Sequence, residues 1–476
     1  MTIVSLDPVA NASPQALLAF LTECRDGAAQ LGRPRLVSIT VEVDNLDPLA
    51  VLESIFEPRQ THFYAERPSE GWAIAAAESV LSFSASGAER FAECQRFIDT
   101  TLEDTIVVGN QELPFAGPHF LSAFTFLDTV GGDEPFEAAR LFVPRWQVGQ
   151  RNGTTAAVAN LMIDALAPVE ALTAKILRAH SKFSSFDFRT PELPALPAGT
   201  ASIGEAGGGR SYETAVSKAV DLIERGAFQK IVLARAKDVR ADAPLDPLGM
   251  LNGLRQRFSD CTAFSFANGR GQSFIGASPE LLLSVEDGVV YTEALAGSAG
   301  RGISASEDAN LGGRLLRSDK DLREQRIVLE SILRRLTPLG LELKYPTRPL
   351  LKRLSNVQHL HTPLEAPVPR GVRLLEMLSV LHPTPAVGGT PREVAVPVIA
   401  ELEAFPRGLY GGALGWIDSR GGGEFFVGLR SALVDGSRAR MYAGAGIVAG
   451  SSPELEYAET ELKFRAMQDA LLGSSA

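Results

Sequence analysis

The sequence predicts an α+β fold in which a large, mostly antiparallel β-sheet core, arranged as two packed sheets, carries helices on its outside. Between residues 230 and 447 the chain holds a series of short apolar runs typical of strands. Tight turns join several of these runs, with Asn-Gly at residues 268–269, Asp-Gly at 287–288 and three glycines at 421–423. Strands joined by such short turns pair antiparallel, so the segments with helical periodicity must cover the sheets from outside.

The first half of the chain supplies strands and helices but few chemical signals. Residues 13–31 have helical apolar spacing and begin with a Ser-Pro pair suited to a helix start. Residues 36–43 alternate as a strand would. Residues 62–148 read as short strands with intervening helices, of which 88–104 is the clearest helix.

A Pro/Gly-rich stretch divides the chain. Residues 189–209 are rich in Pro, Gly, Ala and Ser, which is typical of a loop or linker. We therefore expect an N-terminal α/β region, residues 1–190, that packs on the core as part of one large fold. A loop at 191–210 follows, and the region 211–476 begins with a helix that Ser211 can cap.

Composition narrows the class of protein. The chain has 476 residues, a net charge of −11 and a pI near 5.3. This balance argues against a general nucleic-acid or anionic-membrane surface, because both need concentrated Lys and Arg. A small anionic substrate would therefore need a local positive pocket.

Three widely separated cysteines, Cys24, Cys94 and Cys261, lack the spacing of a disulfide framework or a zinc site. No apolar run approaches the ~20 residues of a membrane span. The first residues also lack a basic segment followed by an apolar one. We expect a protein of the reducing cytoplasm that is neither exported nor membrane-bound.

Two acidic clusters carry the first chemical signal. Asp321 and Glu324 share one face of a predicted helix, and Glu456 and Glu459 share a face of a second one. Mg²⁺ prefers a few hard oxygen ligands of this kind and keeps its other positions for water or substrate. Each cluster alone also fits a solvated helix face, and Glu459 with Lys463 fits an ordinary helix ion pair.

Further motifs follow in order along the second half of the chain. They occupy residues 230–235, 276–282, 294–298, 318–324, 357–360, 382–386, 406–412, 429–432, 443–448 and 456–463. With these motifs, residues 227–472 resemble the chorismate-utilising family of anthranilate synthase large subunits, salicylate synthases and isochorismate synthases. Within that family the resemblance is greatest to the isochorismate synthases. It implies a fold like that of the anthranilate synthase large subunit.

The resemblance implies a magnesium-dependent reaction on chorismate, in which water adds at C2, the C4 hydroxyl departs and the double bonds shift. By matching position, Lys230 would be the base that deprotonates the water, and burial would favour the neutral amine that this role needs. Glu280 would be the acid, because apolar surroundings keep a carboxyl protonated. Taken alone, both residues also fit solvated surface positions.

The same resemblance assigns binding residues. Mg²⁺ would be held by Glu324 and Glu459, with Asp321 and Glu456 supporting, and would bridge the ring carboxylate. Arg430 and Tyr410 would grip the enolpyruvyl carboxylate, and the backbone of Gly444, Ala445 and Gly446 would form a turn against the ligand. His359 would line the pocket, and Lys463 would place a charge near the metal. Plain β-turn and surface ion-pair roles stay open for the glycines and Arg430. His361 and His382 match less specifically and are expected to be structural.

Three features favour water addition over the other reactions of the family. Lys230 stands where ammonia-using relatives lack a lysine base, and Ala386 stands where pyruvate-eliminating relatives carry threonine. No glutamine-amidotransferase portion is present, so no such subunit is expected as a partner. One departure is Gln325, where many relatives place histidine.

We therefore predict a magnesium-dependent isochorismate synthase, acting as a monomer or homodimer, with menaquinone biosynthesis as the preferred pathway. The alternatives are a salicylate synthase or a siderophore-pathway isochorismate synthase. A third alternative is a non-catalytic chorismate-binding subunit, which would lack the acid, the base or the metal ligands.

Overall fold

The computed structural model describes residues 1–4, 13–55, 59–184, 201–206, 212–355 and 357–472. Its helices are α1 (Pro14–Leu31), α2 (Pro48–Ile55), α3 (Arg90–Glu103), α4 (Val169–Ser184), α5 (Tyr212–Glu224), α6 (Pro247–Arg257), α7 (Ala305–Leu315), α8 (Asp319–Leu336), α9 (Leu374–Leu381), α10 (Arg392–Leu402) and α11 (Pro453–Leu472). Two short 3₁₀ helices lie at Pro68–Glu70 and Thr337–Leu339.

The strands are β1 (Thr2–Val4), β2 (Arg35–Val43), β3 (Thr61–Arg67), β4 (Trp72–Ala85), β5 (Ile106–Val108), β6 (His119–Phe124), β7 (Ala139–Arg151), β8 (Thr154–Ile163), β9 (Ala201–Glu205), β10 (Lys230–Ala241), β11 (Thr262–Asn268), β12 (Gln272–Ser278), β13 (Leu281–Glu286), β14 (Val289–Gly300), β15 (Leu350–Arg353), β16 (Val357–Pro367), β17 (Gly389–Thr390), β18 (Ala413–Asp418), β19 (Gly423–Val427), β20 (Ser431–Asp435) and β21 (Arg438–Val448).

These elements confirm the predicted α+β class with a large antiparallel sheet. The described strands form one hydrogen-bonded network, in which β5 pairs parallel with β1 and β2 and the other pairings are antiparallel. Two arms leave the central pair β4–β7. One arm continues through β3, β11, β12, β20, β21 and β10, and the other through β6, β18, β19, β13, β14 and β16.

The two arms pack against each other over an aromatic core. Phe63 and Phe266 from the first arm lie in one buried cluster with Leu121, Leu414 and Phe426 from the second. Burial of such large apolar side chains on both inner faces is the main stabilising contribution to a β-sandwich core. The two sheets expected from the sequence are thus connected at one edge and packed face to face.

The N-terminal and C-terminal halves share these sheets. Strand β3 pairs with β11, and β6 pairs with β18, so strands from residues 61–124 lie between strands from residues 262–418. Within the predicted loop at 191–210, residues 201–205 form β9, which pairs antiparallel with the end of β10. Most of the rest of that loop, and the proposed cap Ser211, lie outside the described residues.

Local sequence signals account for several helix boundaries. Helix α1 begins after Ser13, whose Oγ accepts a hydrogen bond of 3.0 Å from the backbone N–H of Ala16. Helix α8 begins after Ser318, whose Oγ accepts a hydrogen bond from Asp321 N–H at 3.3 Å. This cap fixes the first turn of α8, which carries the first predicted acidic cluster.

Two expectations from composition can be compared with the fold. All three cysteines are buried and unpaired. In the part of the chain that the structure describes, the helices are either too short or too polar to cross a membrane.

Candidate active site

Most of the predicted site residues meet in one pocket of about 110 Å³, where α8 and α11 face β10, β14 and β21. Its walls include Lys230, Glu280, Asp321, Glu324, His359, Ala386, Tyr410, Arg430, Gly444, Gly446, Glu459 and Lys463. Ala445 and Glu456 lie outside its lining. Residues more than 200 positions apart therefore converge on one small volume.

Lys230 and Glu324 form the central contact of the pocket. Lys230 is the first residue of β10 and is 1% exposed, and its Nζ lies 2.8 Å from Glu324 Oε1 on α8. Gly446 on β21 makes this contact possible, because a Cβ at that position would lie 2.4 Å from Glu324 Oε1. The glycine therefore serves the close approach of α8 to the sheet.

The second acidic cluster is also paired with lysines. On α11, Glu459 contacts Lys463 Nζ at 2.8 Å, and the same ammonium donates to the carbonyl oxygen of Gly444 at 2.8 Å. Glu456 is buried and contacts Lys320 Nζ of α8 at 2.9 Å. Glu456 therefore joins α11 to α8 from behind the pocket.

The carboxylates differ in how their surroundings affect ionisation. The protein around Glu459 disfavours its charged form, but the ammonium of Lys463 outweighs this effect and lowers the pKa of Glu459. Burial raises the pKa of Asp321, with a further contribution from the nearby Glu324 carboxylate. Burial likewise raises the pKa of Glu456, although Lys320 opposes the shift. Burial thus disfavours the charged forms of Asp321 and Glu456, whereas Glu459 stays ionised beside Lys463.

The donor chemistry of this wall fits a hard cation. Asp321, Glu324 and Glu459 line one side of the pocket, and carboxylate oxygens are the ligands that Mg²⁺ prefers. Within the described ranges, however, no three His, Cys, Asp or Glu side chains converge on one point as a preformed metal centre. Two of these carboxylates contact lysine ammonium groups instead, so a cation would have to replace those contacts.

Glu280 lies on the turn between β12 and β13 and is 6% exposed. Burial, helped by the nearby Glu293 carboxylate, raises the pKa of Glu280 to about 8, against the opposing charges of Lys230, Lys352 and Lys463. A carboxyl in this state holds a proton at neutral pH and can act as a general acid. The sequence-based assignment of Glu280 therefore has the electrostatic surroundings that the role needs.

Glu293 and Lys352 were not identified from the sequence. Glu293, on β14, is buried, and its carboxylate contacts Lys352 Nζ at 2.9 and 3.0 Å and His361 Nε2 at 2.7 Å. Burial disfavours the charged form, but these two partners lower the pKa of Glu293 to about 2. An acidic residue inside an apolar strand is the only sequence signal for it, and Lys352 on β15 has none.

The guanidinium of Arg430 is a buried positive charge on the side of the pocket opposite the carboxylates. Arg430 precedes β20 with φ of 44°, a left-handed conformation that is uncommon for a residue with a side chain and is frequent at functional sites. Its guanidinium lies 3.5 Å from His359 Nε2 and 3.6 Å from Cys261 Sγ. Among the described residues no carboxylate pairs with it, and burial lowers the pKa of Arg430.

His359 is neutral in this arrangement. Its Nδ1 lies 3.0 Å from Ser298 Oγ and 3.3 Å from the carbonyl oxygen of Gly297, so Nδ1 carries the proton. Burial, together with the charge of Arg430, lowers the pKa of His359 to about 3. The unprotonated Nε2 then faces the Arg430 guanidinium and orients it.

Tyr410 stacks on Tyr442, with ring centroids 5.1 Å apart and planes 13° apart. Burial raises the pKa of Tyr410, so its hydroxyl stays a neutral donor. A Cβ on Gly444 would lie 2.8 Å from the Tyr410 hydroxyl, which explains the absence of a side chain there. The stacking on Tyr442 and the close approach of β21 at Gly444 thus hold the Tyr410 hydroxyl at the pocket.

The structure corrects one local prediction. Gly444, Ala445 and Gly446 do not form a turn; they lie within β21 and pair in register with Ala234, Leu233 and Val232 of β10. Because successive residues of a strand face opposite sides, the Ala445 side chain lies on the face away from the pocket. The two glycines therefore leave space in the pocket, while their strand forms hydrogen bonds with β10.

Three other polar residues named in the sequence analysis have partners away from the carboxylate side of the pocket. Gln325 is buried and donates to the Ala294 carbonyl oxygen at 2.9 Å and to Thr362 Oγ1 at 3.0 Å. His382 contacts the Thr125 carbonyl oxygen, and neither residue lines the pocket. His361 contacts Glu293, so it supports the neighbourhood of Glu280.

A larger cleft of about 970 Å³ lies elsewhere, between α3, the β13–β14 turn and the β18–β19 turn. It contains none of the predicted catalytic, binding or metal-ligating residues. The smaller pocket is the better candidate, because buried groups with strongly shifted pKa values cluster there.

Comparison with known proteins supports the pattern of motifs. The chain matches the family described as chorismate binding enzyme across residues 19–472. Over 455 residues it is 38% identical to the salicylate biosynthesis isochorismate synthase of Pseudomonas aeruginosa, covering 94% of this chain and 92% of that protein.

Solved structures show the same architecture. The menaquinone-specific isochorismate synthase MenF of Escherichia coli is 26% identical, with a TM-score of 0.77, covering 96% of this chain and 99% of that one. Anthranilate synthase component I of Streptococcus pneumoniae is 21% identical, with a TM-score of 0.67 over 83% of this chain and 92% of that one, which shows a shared fold.

Proposed function

This chain belongs to the chorismate-binding enzyme family, and we propose that it is an isochorismate synthase, an isomerase that converts chorismate to isochorismate. Isochorismate synthases related over nearly the whole chain support this assignment. The structural observation that carries it is one pocket with three groups: a buried amine, a buried protonated carboxyl and a buried guanidinium without a carboxylate partner among the described residues.

The proposed reaction uses the amine and the carboxyl as a base and an acid. Lys230, once neutral and no longer paired with Glu324, takes a proton from water while the water oxygen bonds to C2 of the ring. The ring double bonds shift, the C4–O bond breaks, and Glu280 gives its proton to the departing hydroxyl, which leaves as water. One water enters and one leaves, so substrate and product have the same composition. Loss of a proton from Lys230 and gain of a proton by Glu280, by exchange with solvent, restore the enzyme for the next turnover.

Arg430 would bind a substrate carboxylate through paired N–H donors, and the Tyr410 hydroxyl would donate to the same group. An anionic ligand strongly stabilises a buried guanidinium that has free donors, because its hydrogen bonds and charge replace the lost hydration. The neutral His359 holds the guanidinium in place without adding charge of its own.

Glu324 and Glu459 would hold Mg²⁺, with Asp321 beside them and Glu456 supporting from behind through Lys320. When bound, the ion would offset the charge of the ring carboxylate. Glu324 also contacts Lys230 at 2.8 Å, so its carboxylate would have to exchange this ion pair for the metal.

We propose menaquinone biosynthesis as the pathway, supported by the likeness to MenF over 96% of the chain. A second candidate is a salicylate or siderophore pathway, favoured by the 38% identity to the Pseudomonas relative. Deletion of the gene in its host separates them: loss of menaquinone supports the first, and loss of salicylate with normal menaquinone supports the second.

The activity is tested by incubating the purified protein with chorismate, with and without Mg²⁺, and separating the products while assaying pyruvate. Isochorismate in equilibrium with chorismate, without pyruvate, is the expected result. Salicylate with pyruvate would instead identify a salicylate synthase and would show that Ala386 does not prevent elimination. Binding of chorismate without any product would indicate a non-catalytic subunit.

A further inference from the structure

The buried Glu293 and the half-buried Lys352 form an ion pair that has no role in the reaction as proposed, yet the pair lies directly behind Glu280. Glu293 is on β14 and Lys352 is on β15, and β16 lies between these two strands. An ion pair whose carboxylate is buried adds little net stability, because loss of hydration offsets the attraction, so its presence beside a reacting group has to be explained in another way.

The pair holds the turn that carries Glu280 on both sides. The backbone N–H of Leu281 donates to Glu293 Oε1 at 2.9 Å. On the other side, Lys352 Nζ donates to the carbonyl oxygen of Pro279 at 2.8 Å. The two backbone groups that flank Glu280 are thus bound to partners that are also bound to each other.

We propose that Glu293 and Lys352 are positioning residues for the general acid: they fix the backbone on each side of Glu280 and keep a negative charge beside its carboxyl. This inference rests on the proposed function, in which Glu280 is the proton donor. His361 completes the arrangement, because its contact with Glu293 at 2.7 Å leaves that carboxylate ionised.

The charges around Glu280 predict in which direction each substitution shifts the pKa of its carboxyl. The Glu293 carboxylate favours the protonated form of Glu280, whereas Lys230, Lys352 and Lys463 oppose it. The pKa values of the two carboxyls are accordingly far apart, about 8 for Glu280 and about 2 for Glu293. Such a separation between neighbouring carboxyls is typical of an acid and its fixed counter-charge.

The test is the pH dependence of kcat/KM, which reports the ionisation of the free enzyme. Glu293→Gln keeps an oxygen for the Leu281 N–H but removes the charge, so Glu280 should lose its proton more readily. We expect the alkaline limb of the profile to move to lower pH by about one to two units. Lys352→Met removes an opposing positive charge and should move the same limb to higher pH.

Opposite shifts are the result that a merely structural role would not produce. Asp238→Asn is the matched control, because Asp238 forms a comparable two-contact pair with Arg440, at 2.7 and 3.0 Å, away from the pocket. Its profile should match the wild type. If Glu293→Gln fails to fold, the upward shift of Lys352→Met decides the question.

The proposal is overturned if folded Glu293→Gln and Lys352→Met both keep the wild-type alkaline limb, or if both move it in the same direction. That result differs from failure of the proposed function, in which the wild-type protein forms no isochorismate from chorismate. Wild-type turnover in a folded Glu280→Gln variant would show that Glu280 is not the acid, and the positioning role would then fail with that assignment.

Discussion

The two sides of the pocket treat charge in opposite ways. On the carboxylate wall, formed by Asp321 and Glu324 of α8 and Glu459 of α11, lysine ammonium groups lie 2.8 Å from both glutamates. On the arginine wall, formed by Arg430, His359 and Tyr410, the guanidinium contacts a neutral imidazole and a thiol.

The two walls are therefore suited to bind ligands in different ways. The carboxylate wall is neutralised by its own lysines, so a cation gains access only by exchanging partners with them. The arginine wall holds an uncompensated buried charge, which an anionic group can neutralise directly. We therefore expect changes on the carboxylate wall to affect turnover and metal response, and changes on the arginine wall to affect substrate affinity.

The largest effect should come from Lys230, the lysine that faces the carboxylate wall. Lys230→Ala removes the proposed base and should lower kcat by about a thousandfold, while chorismate binding is retained. Stopped-flow or product assays give kcat, and calorimetry gives the affinity. Lys237→Ala is the control, since Lys237 lies on the same strand but pairs with Glu461 outside the pocket. A near-normal kcat in Lys230→Ala would contradict the base assignment.

The next effect concerns the metal. Glu324→Gln removes one proposed Mg²⁺ ligand from the carboxylate wall and should raise the Mg²⁺ concentration for half-maximal rate by about a hundredfold. Titration of the rate with MgCl₂ measures this. Glu330→Gln, at an exposed position on the same helix, should leave the response unchanged. An unaltered Mg²⁺ titration in Glu324→Gln would place the metal elsewhere.

A change on the arginine wall should have the opposite signature. Arg430→Lys keeps the charge but loses the two-pronged donor geometry, so KM for chorismate should rise by about thirtyfold with a smaller change in kcat. Arg440→Lys, at a surface ion pair with Asp238, should leave KM unchanged. If Arg430→Lys lowers kcat alone, the contrast between the two walls fails.

The smallest predicted effect is a pH dependence of the unmodified protein. Glu280 donates a proton only while protonated, and its pKa is raised to about 8, so activity is present below that pH and lost above it. We expect kcat/KM to fall by about tenfold between the plateau and pH 9. A profile flat to pH 9 would show that Glu280 is not the proton donor in the free enzyme.

Much of this site was predictable because its residues lie in short motifs. The acidic residues of α8 and α11 share helix faces that their spacing alone predicts. Family resemblance added Lys230, Glu280 and Arg430, whose individual residue types carry no such periodic signal.

Other features were not predictable from local patterns. The resemblance assigned Gly444, Ala445 and Gly446 to a turn, whereas the apolar run at residues 439–447 is typical of a strand, and pairing with β10 decides for the strand. Lys352 and Glu293 are distant in sequence and meet only because β14 and β15 both pair with β16. Neither position has a neighbour along the chain that indicates its partner.

The sequence by itself determined the α+β class and the helices that carry the acidic clusters, and its resemblance to a known family added the proposed proton-exchanging groups. The class and the helices follow from hydrophobic period and turn residues, which act over a few positions. Only the tertiary structure decided which charges are paired and which are buried without a partner. Those properties depend on long-range strand pairing and on solvent exclusion, which place Lys230 against Glu324, Glu293 behind Glu280, and Arg430 against a neutral histidine.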